Sequence, residues 1–167
     1  MTHHIIYTLL LLGAGYCSLE MARADLRRRI IPDVYLFPFM LIGMVVVCYF
    51  PWVSTPGESA AAAAFGYALS FTVGQIFKKS AEHRSKSAKK SDYRLPITDY
   101  HPIGLGDVKL LAAGGIWLGT SGLAAAIVIS CIVGGIWGLR KKQKYIPYAP
   151  FFFIGAIIAL IGLWILI

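Results

Sequence analysis

The sequence predicts an all-α fold, a polytopic bundle of about six transmembrane helices, and three observations point to it. Hydrophobic residues make up 57% of the 167 positions, charged residues only 14%, and the mean hydropathy is +0.68, far from the composition of a soluble domain. Apolar runs close to the ~20 residues needed to cross a bilayer recur at 3–22, 34–53, 58–77, 103–119, 121–139 and 149–167. The 16 Lys and Arg residues fall in or beside three connections, 23–29, 78–94 with Lys109 following, and 140–144, while the alternate connections 54–57 and 119–122 hold none. The positive-inside rule makes the three basic connections cytoplasmic and puts both termini on the other side. The formal charge of +8 is therefore mainly a topology signal, with contact to anionic membrane lipid as a secondary effect, and no nucleic-acid partner is expected.

The first segment lacks a basic leading region, carries His3 and His4 there, and runs into arginines without a small-residue cleavage site. It reads as a retained helix and not as a removed signal. Glu20 stands three residues before Arg23, the spacing of a pair on one helix face. The first connection, from Asp25 to Asp33, closes with Pro32, which suits a helix start, and Asp33 reads as the N-cap of the second segment. Small residues at 60–64 and 112–115, and the GxxxG pairs Gly115 with Gly119 and Gly134 with Gly138, mark close helix contacts.

The hydrophilic stretch 78–101 is expected to be a mobile cytoplasmic loop, above all at 80–91, within a single membrane-embedded domain covering 1–167. Its end, 95–102, gains Pro and aromatic residues and is expected to pack on the membrane face near Asp107. Residues 108–118 alone would span only about 16 Å, so part of 102–106 is expected within the membrane boundary, drawing Asp107 inward. Cys17, Cys48 and Cys131 lie in apolar segments at neither zinc-finger nor redox spacing. They read as buried packing residues, with no disulfide and no metal site.

Two carboxylates stand out, Asp25 and Asp107, each where an apolar segment meets a basic connection on the same side. An ionisable group at a membrane boundary is costly to hold, and a pair of them is a candidate for acid/base chemistry. Asp25 closes the first helix, where the helix dipole disfavours negative charge, although ion pairing with the neighbouring arginines is an equally physical account. Asp107 ends Gly104-Leu105-Gly106-Asp107, a string that is weak alone because an N-cap explains it too. Lys109 reads either as a snorkelling interfacial anchor or as the partner of a substrate carboxylate. Asp99 is the competing carboxylate but stands in the polar part of the loop, and Tyr100-His101-Pro102 reads as an interfacial turn.

Taken together, these strings make the sequence similar to the prepilin peptidase family of GxGD membrane aspartyl proteases, also called type IV leader peptidases. In that family an aspartate stands seven residues before a proline in an Arg-rich loop ending Ile-Pro, as Asp25 does before Ile31-Pro32. A second aspartate ends GxGD and is followed by Val-Lys-Leu-Leu-Ala-Ala, as at 104–113, and a late Ile-Pro-x-x-Pro-Phe element is matched at 146–151. The resemblance covers most of the chain. It implies a GxGD-type aspartyl protease core with Asp25 and Asp107 as the catalytic residues and no metal or cofactor. Gly104, Gly106, Lys109, Arg27 and Pro32 are expected as substrate-binding or site-shaping residues, with Arg27 to Arg29, or Lys109, expected to pair with an acidic residue near the start of the mature substrate. Two carboxylates brought close share one proton, so one acts as base on water while the other protonates the leaving amine.

The implied substrate is a prepilin-like precursor whose short basic leader stays cytoplasmic, cut after a small residue, usually glycine. Pilus or secretion assembly machinery is a further expected partner, and the cytoplasmic (inner) membrane is the expected location. Two departures matter. Family members often carry asparagine where Asp33 stands, and bifunctional members have an N-terminal region with paired zinc-type cysteines that this sequence does not contain. The expectation is a short peptidase-only form, similar to those of tight-adherence pili or to preflagellin peptidases, without methyltransferase activity. A competing class is a small membrane transporter or assembly factor using the aspartates for protons or a partner helix, but only one broken segment is legible where matched halves would be expected. A presenilin-type GxGD protease would call for Tyr-Asp, and Ala24 precedes Asp25.

Overall fold

The computed structural model describes residues 2–88, 104–141 and 146–166. They form five helices, α1 (Thr2–Arg28), α2 (Asp33–Tyr49), α3 (Pro56–Ala88), α4 (Leu105–Lys141) and α5 (Tyr148–Leu166), with no strand among the described residues. Four of them, α1, α3, α4 and α5, are long and apolar enough to cross a membrane, while the 17-residue α2 is apolar but shorter.

The expected six separate helices are thus five, because the fourth and fifth apolar segments join in one 37-residue element broken only at Gly119, with φ 66° and ψ −172°. A straight helix of that length would measure about 56 Å, nearly twice the ~30 Å hydrocarbon core. Neighbouring contacts show what the break does. Along the first leg, Leu111 meets Gly66, Gly115 meets Ala62 and Gly119 meets Ser54, so this leg runs antiparallel to α3 and ends at the α2–α3 connection. Along the second leg, Gly122 meets Leu163, Ala126 meets Gly155, Gly134 meets Phe151 and Gly138 meets Ile146, so the chain returns to the end from which it started. One residue in a backbone region essentially reserved for glycine replaces a multi-residue loop.

The first leg is the axis of the bundle. Every residue from Leu110 to Gly119 is buried, which requires apolar or small side chains all round the helix. The small-residue reading becomes contact here, since a Cβ on Gly115 would stand 2.5 Å from the Ala62 backbone. Around this axis Met21, Leu36, Val46, Leu123 and Phe152 are fully enclosed. The end remote from the aspartates is fastened by local chemistry. Thr55 and Glu58 form a reciprocal capping box at the start of α3, with Pro56 in the first helical position. Trp52 Nε1 donates to the Trp117 carbonyl, and Trp117 Nε1 donates to the Phe39 carbonyl at 3.2 Å.

Three further expectations are corrected. Residues 78–88, read as loop, continue α3, because no Gly or Pro interrupts a run of Lys, Ser, Ala and Glu that can carry the helix beyond its apolar part. The remainder of that stretch, with Asp99, His101 and the 95–102 segment, lies outside the described residues. Cys17 is buried as expected, but Cys48 and Cys131 are exposed on outer helix faces, where lipid-facing positions tolerate any apolar residue. Asp33 is not the N-cap of α2. Pro32 occupies that position with extended φ and ψ, and Asp33 is the first helical residue, its carboxylate turned elsewhere.

Candidate active site

Asp25 is the last member of the core-facing stripe of α1. Ala14, Cys17 and Met21 precede it at three- and four-residue spacing, so the helix that buries them buries Asp25 too, to 5% exposure. A carboxylate carried into a core by its helix needs a donor, and α5 supplies one. The four leading N–H positions of α5 are Pro147, Tyr148, Ala149 and Pro150, and the two prolines have no N–H to give. Of the two donors that remain, Ala149 N–H donates to the Asp25 Oδ2 at 2.8 Å, and the neighbouring Tyr148 stands in the same first turn. The positive end of the α5 dipole faces the negative side chain. Arg29 lies within electrostatic reach of the same carboxylate, in a left-handed backbone conformation with φ 54°. Its N–H closes α1 by donating to the Asp25 carbonyl at 2.9 Å.

Asp107 stands in the first turn of α4, third in the helix after the Gly104 cap position. The Asp107 N–H donates to the Gly104 carbonyl at 3.0 Å, and its carboxylate accepts from the Gly104 N–H in return, as an acidic residue at this position does in a capping box. The N-cap reading thus moves from Asp107 to Gly104. A Cβ on Gly104 would stand 3.5 Å from the Asp107 carboxylate, and one on Gly106 only 3.1 Å from the Ile31 Cβ. The absence of a side chain on Gly106 lets the Ile31-Pro32 connection close against the GxGD turn. Asp107 is half-buried and within electrostatic reach of Asp25 and of the Tyr148 side chain. Two carboxylates 82 positions apart in the chain therefore stand at one end of the bundle, within electrostatic reach of each other.

The profile of the Type IV leader peptidase family matches residues 5–139, a span that includes both aspartates. The chain belongs to that family. A protein named prepilin leader peptidase/N-methyltransferase from Xanthomonas campestris pv. campestris is 31% identical over 141 residues, covering 78% of this chain and 42% of its relative. Proteins of the same name from Pseudomonas aeruginosa and Pseudomonas putida are 29% and 26% identical, covering 92% and 93% of this chain and 48% and 50% of theirs. The chain spans about half the length of these relatives. No solved structure matches it significantly.

The remaining site candidates divide by position. Lys109 neither snorkels freely nor stands open. Its Nζ donates to both oxygens of Asp33, at 2.9 and 2.7 Å, and lies 5.9 Å from the Phe37 ring centre. The pair ties α2 to the helix that carries Asp107. Arg27, two residues beyond Asp25, points about 200° round the helix from it and lines a separate cleft with Glu20 and Arg23, which pair at 2.6 Å as expected. Sequence reading missed the donor from Ala149, although the paired prolines of 146–151 were the available signal, and it missed the Asp33–Lys109 pair, which has no local signature.

Proposed function

We propose that this protein is a membrane-embedded aspartic endopeptidase that removes the short basic leader of prepilin-like precursors at the cytoplasmic face of the inner membrane. The observation that carries this reading is that Asp25 and Asp107 lie within electrostatic reach of each other at one end of the bundle, with Asp25 held by the α5 N-terminus. Asp25 accepts the Ala149 N–H and lies near the Arg29 guanidinium, whereas Asp107 has no cation at ion-pair distance among the described residues, so the unprotonated role suits Asp25 and the proton-bearing role Asp107. Asp25 takes a proton from the attacking water, and Asp107 polarises the scissile carbonyl and delivers its proton to the leaving amine. Gly104, Gly106, Pro32 and Lys109 shape the site by holding the two connections together. In this reading the legs of α4 each cross the bilayer, giving six crossings with both termini extracytoplasmic and the three basic connections inside.

The test is cleavage of a co-expressed prepilin-like substrate by the wild type and by Asp25→Asn, Asp107→Asn and Asp33→Asn, at matched membrane levels. The first two are expected to lose processing by at least about a thousandfold, the scale of removing one member of an acid/base pair, while Asp33→Asn retains most of it. Normal processing by either of the first two removes that residue from the mechanism. Absence of processing by the wild type across several precursors would favour a transport or assembly role for the aspartates.

A further inference from the structure

We infer that the cleft between the end of α1 and the start of α2 holds the phosphate of an anionic phospholipid, with an acyl chain lying along the outer face of α1. The cleft encloses about 740 Å³ and is lined by Arg23, Arg27, Arg28, Ile30, Tyr35 and others. One lining glutamate, Glu20, faces three arginines, and it is committed to Arg23. Arg27 and Arg28 have no carboxylate at ion-pair distance among the described residues. An anion is the complementary ligand, and a phosphate accepts the fork of a guanidinium well.

The depth of the cleft fits a lipid headgroup. The 27 residues of α1 measure about 40 Å, against a hydrocarbon core of about 30 Å, so its last turns reach headgroup level. The face of α1 that carries Arg23 and Arg27 continues down the helix at three- and four-residue spacing as Leu19, Tyr16, Leu12, Leu9 and Ile5, each 57–65% exposed. A continuous apolar track ending in a basic pocket matches an amphiphile with one charged end, and a free phosphate would use only the pocket. Neither aspartate lines the cleft, and Asp25 sits on the core side of the same helix, although Ala24 and Pro32 are part of the lining. That favours a lipid over an acidic group of a precursor whose scissile bond must reach the dyad. The inference does not depend on the peptidase reading.

The test is native mass spectrometry of the intact protein released from nanodiscs of phosphatidylcholine with graded phosphatidylglycerol. The wild type is expected to retain one phosphatidylglycerol per chain. The Arg27→Gln/Arg28→Gln double variant should retain it about tenfold less or weaker still, on the scale of two lost surface cations. Arg27→Lys/Arg28→Lys should restore most of the retention, and Arg140→Gln/Lys141→Gln, with the same charge change elsewhere on this face, should leave it intact. A circular dichroism melt of each variant separates lost lipid from lost fold. Equal loss in both glutamine pairs would reduce the effect to general surface charge and overturn the site. Displacement by millimolar inorganic phosphate would make it a free-anion site, and displacement by a prepilin-like precursor would make it a substrate subsite; either outcome overturns the lipid assignment.

Discussion

Asp25 shows how much a single side chain depends on its neighbours' backbone. Pro147 and Pro150 remove two of the four leading donors of α5, and Ala149 gives its N–H to the carboxylate. Arg29 adds a guanidinium at the cost of a left-handed backbone at a residue with a Cβ, worth about 1 kcal/mol against glycine. The two contributions can be separated. Arg29→Gly keeps the turn and relieves its strain, so the melting temperature should hold or rise. The cleavage rate should nevertheless fall several-fold, on the order of 1 kcal/mol for a partly screened charge near the dyad. Arg29→Lys should recover part of the rate. A parallel fall in melting temperature and rate for Arg29→Gly would mean that the side chain serves only the fold. Of this residue-scale design, the two aspartates were legible because a carboxylate between an apolar run and a basic connection breaks the local pattern. The donor was missed, because a backbone N–H has no letter of its own and the prolines that leave it available read only as part of a family motif.

Between elements, the ion pair of Asp33 and Lys109 joins the N-terminus of α2 to the first turn of α4 across 76 positions. Both side chains are substantially exposed, at 49% and 39%, so the pair contributes at most about 1 kcal/mol to stability. Its larger consequence is geometric, since it holds the Ile31-Pro32 connection beside the GxGD turn. Asp33→Lys and Lys109→Asp are each expected to reduce cleavage about tenfold through the rate at saturating substrate, with little change in melting temperature. The double exchange Asp33→Lys/Lys109→Asp should recover most of the loss. Failure of the exchange to rescue, with each single variant losing substrate affinity instead, would make Lys109 a substrate contact. The sequence offered Asp33 as a helix cap and Lys109 as an anchor because each role is local, whereas the partner that engages both lies in the other half of the chain. Helix contacts were more legible, since Ala62 and Gly115 announce close approach by their size alone.

At the scale of the whole molecule, the decisive feature is the turn at Gly119. With the turn, both aspartates, the start of α5 and the basic connections share one end of the bundle; a straight α4 would carry Arg140 and Lys141 to the opposite side. The charge pattern anticipated this return and the GxxxG spacing marked the neighbourhood. The joining of two segments into one element was not legible, because a connection of one residue looks like a continuing helix or like a four-residue loop with equal ease. Cysteine labelling decides the topology in a background with Cys17, Cys48 and Cys131 replaced by Ala. An impermeant maleimide applied to intact cells or spheroplasts should reach Thr55→Cys and Ser121→Cys, and should reach Lys79→Cys and Lys141→Cys only after permeabilisation. Ser121 and Lys141 lie at opposite ends of the second leg and are both exposed, so their labelling reports a crossing and not burial. If Lys141→Cys labelled from outside while Lys79→Cys did not, α4 would cross only once and the basic cluster after it would defy the positive-inside rule. If all four labelled only after permeabilisation, neither α3 nor either leg of α4 would cross, and the six-crossing arrangement would fail.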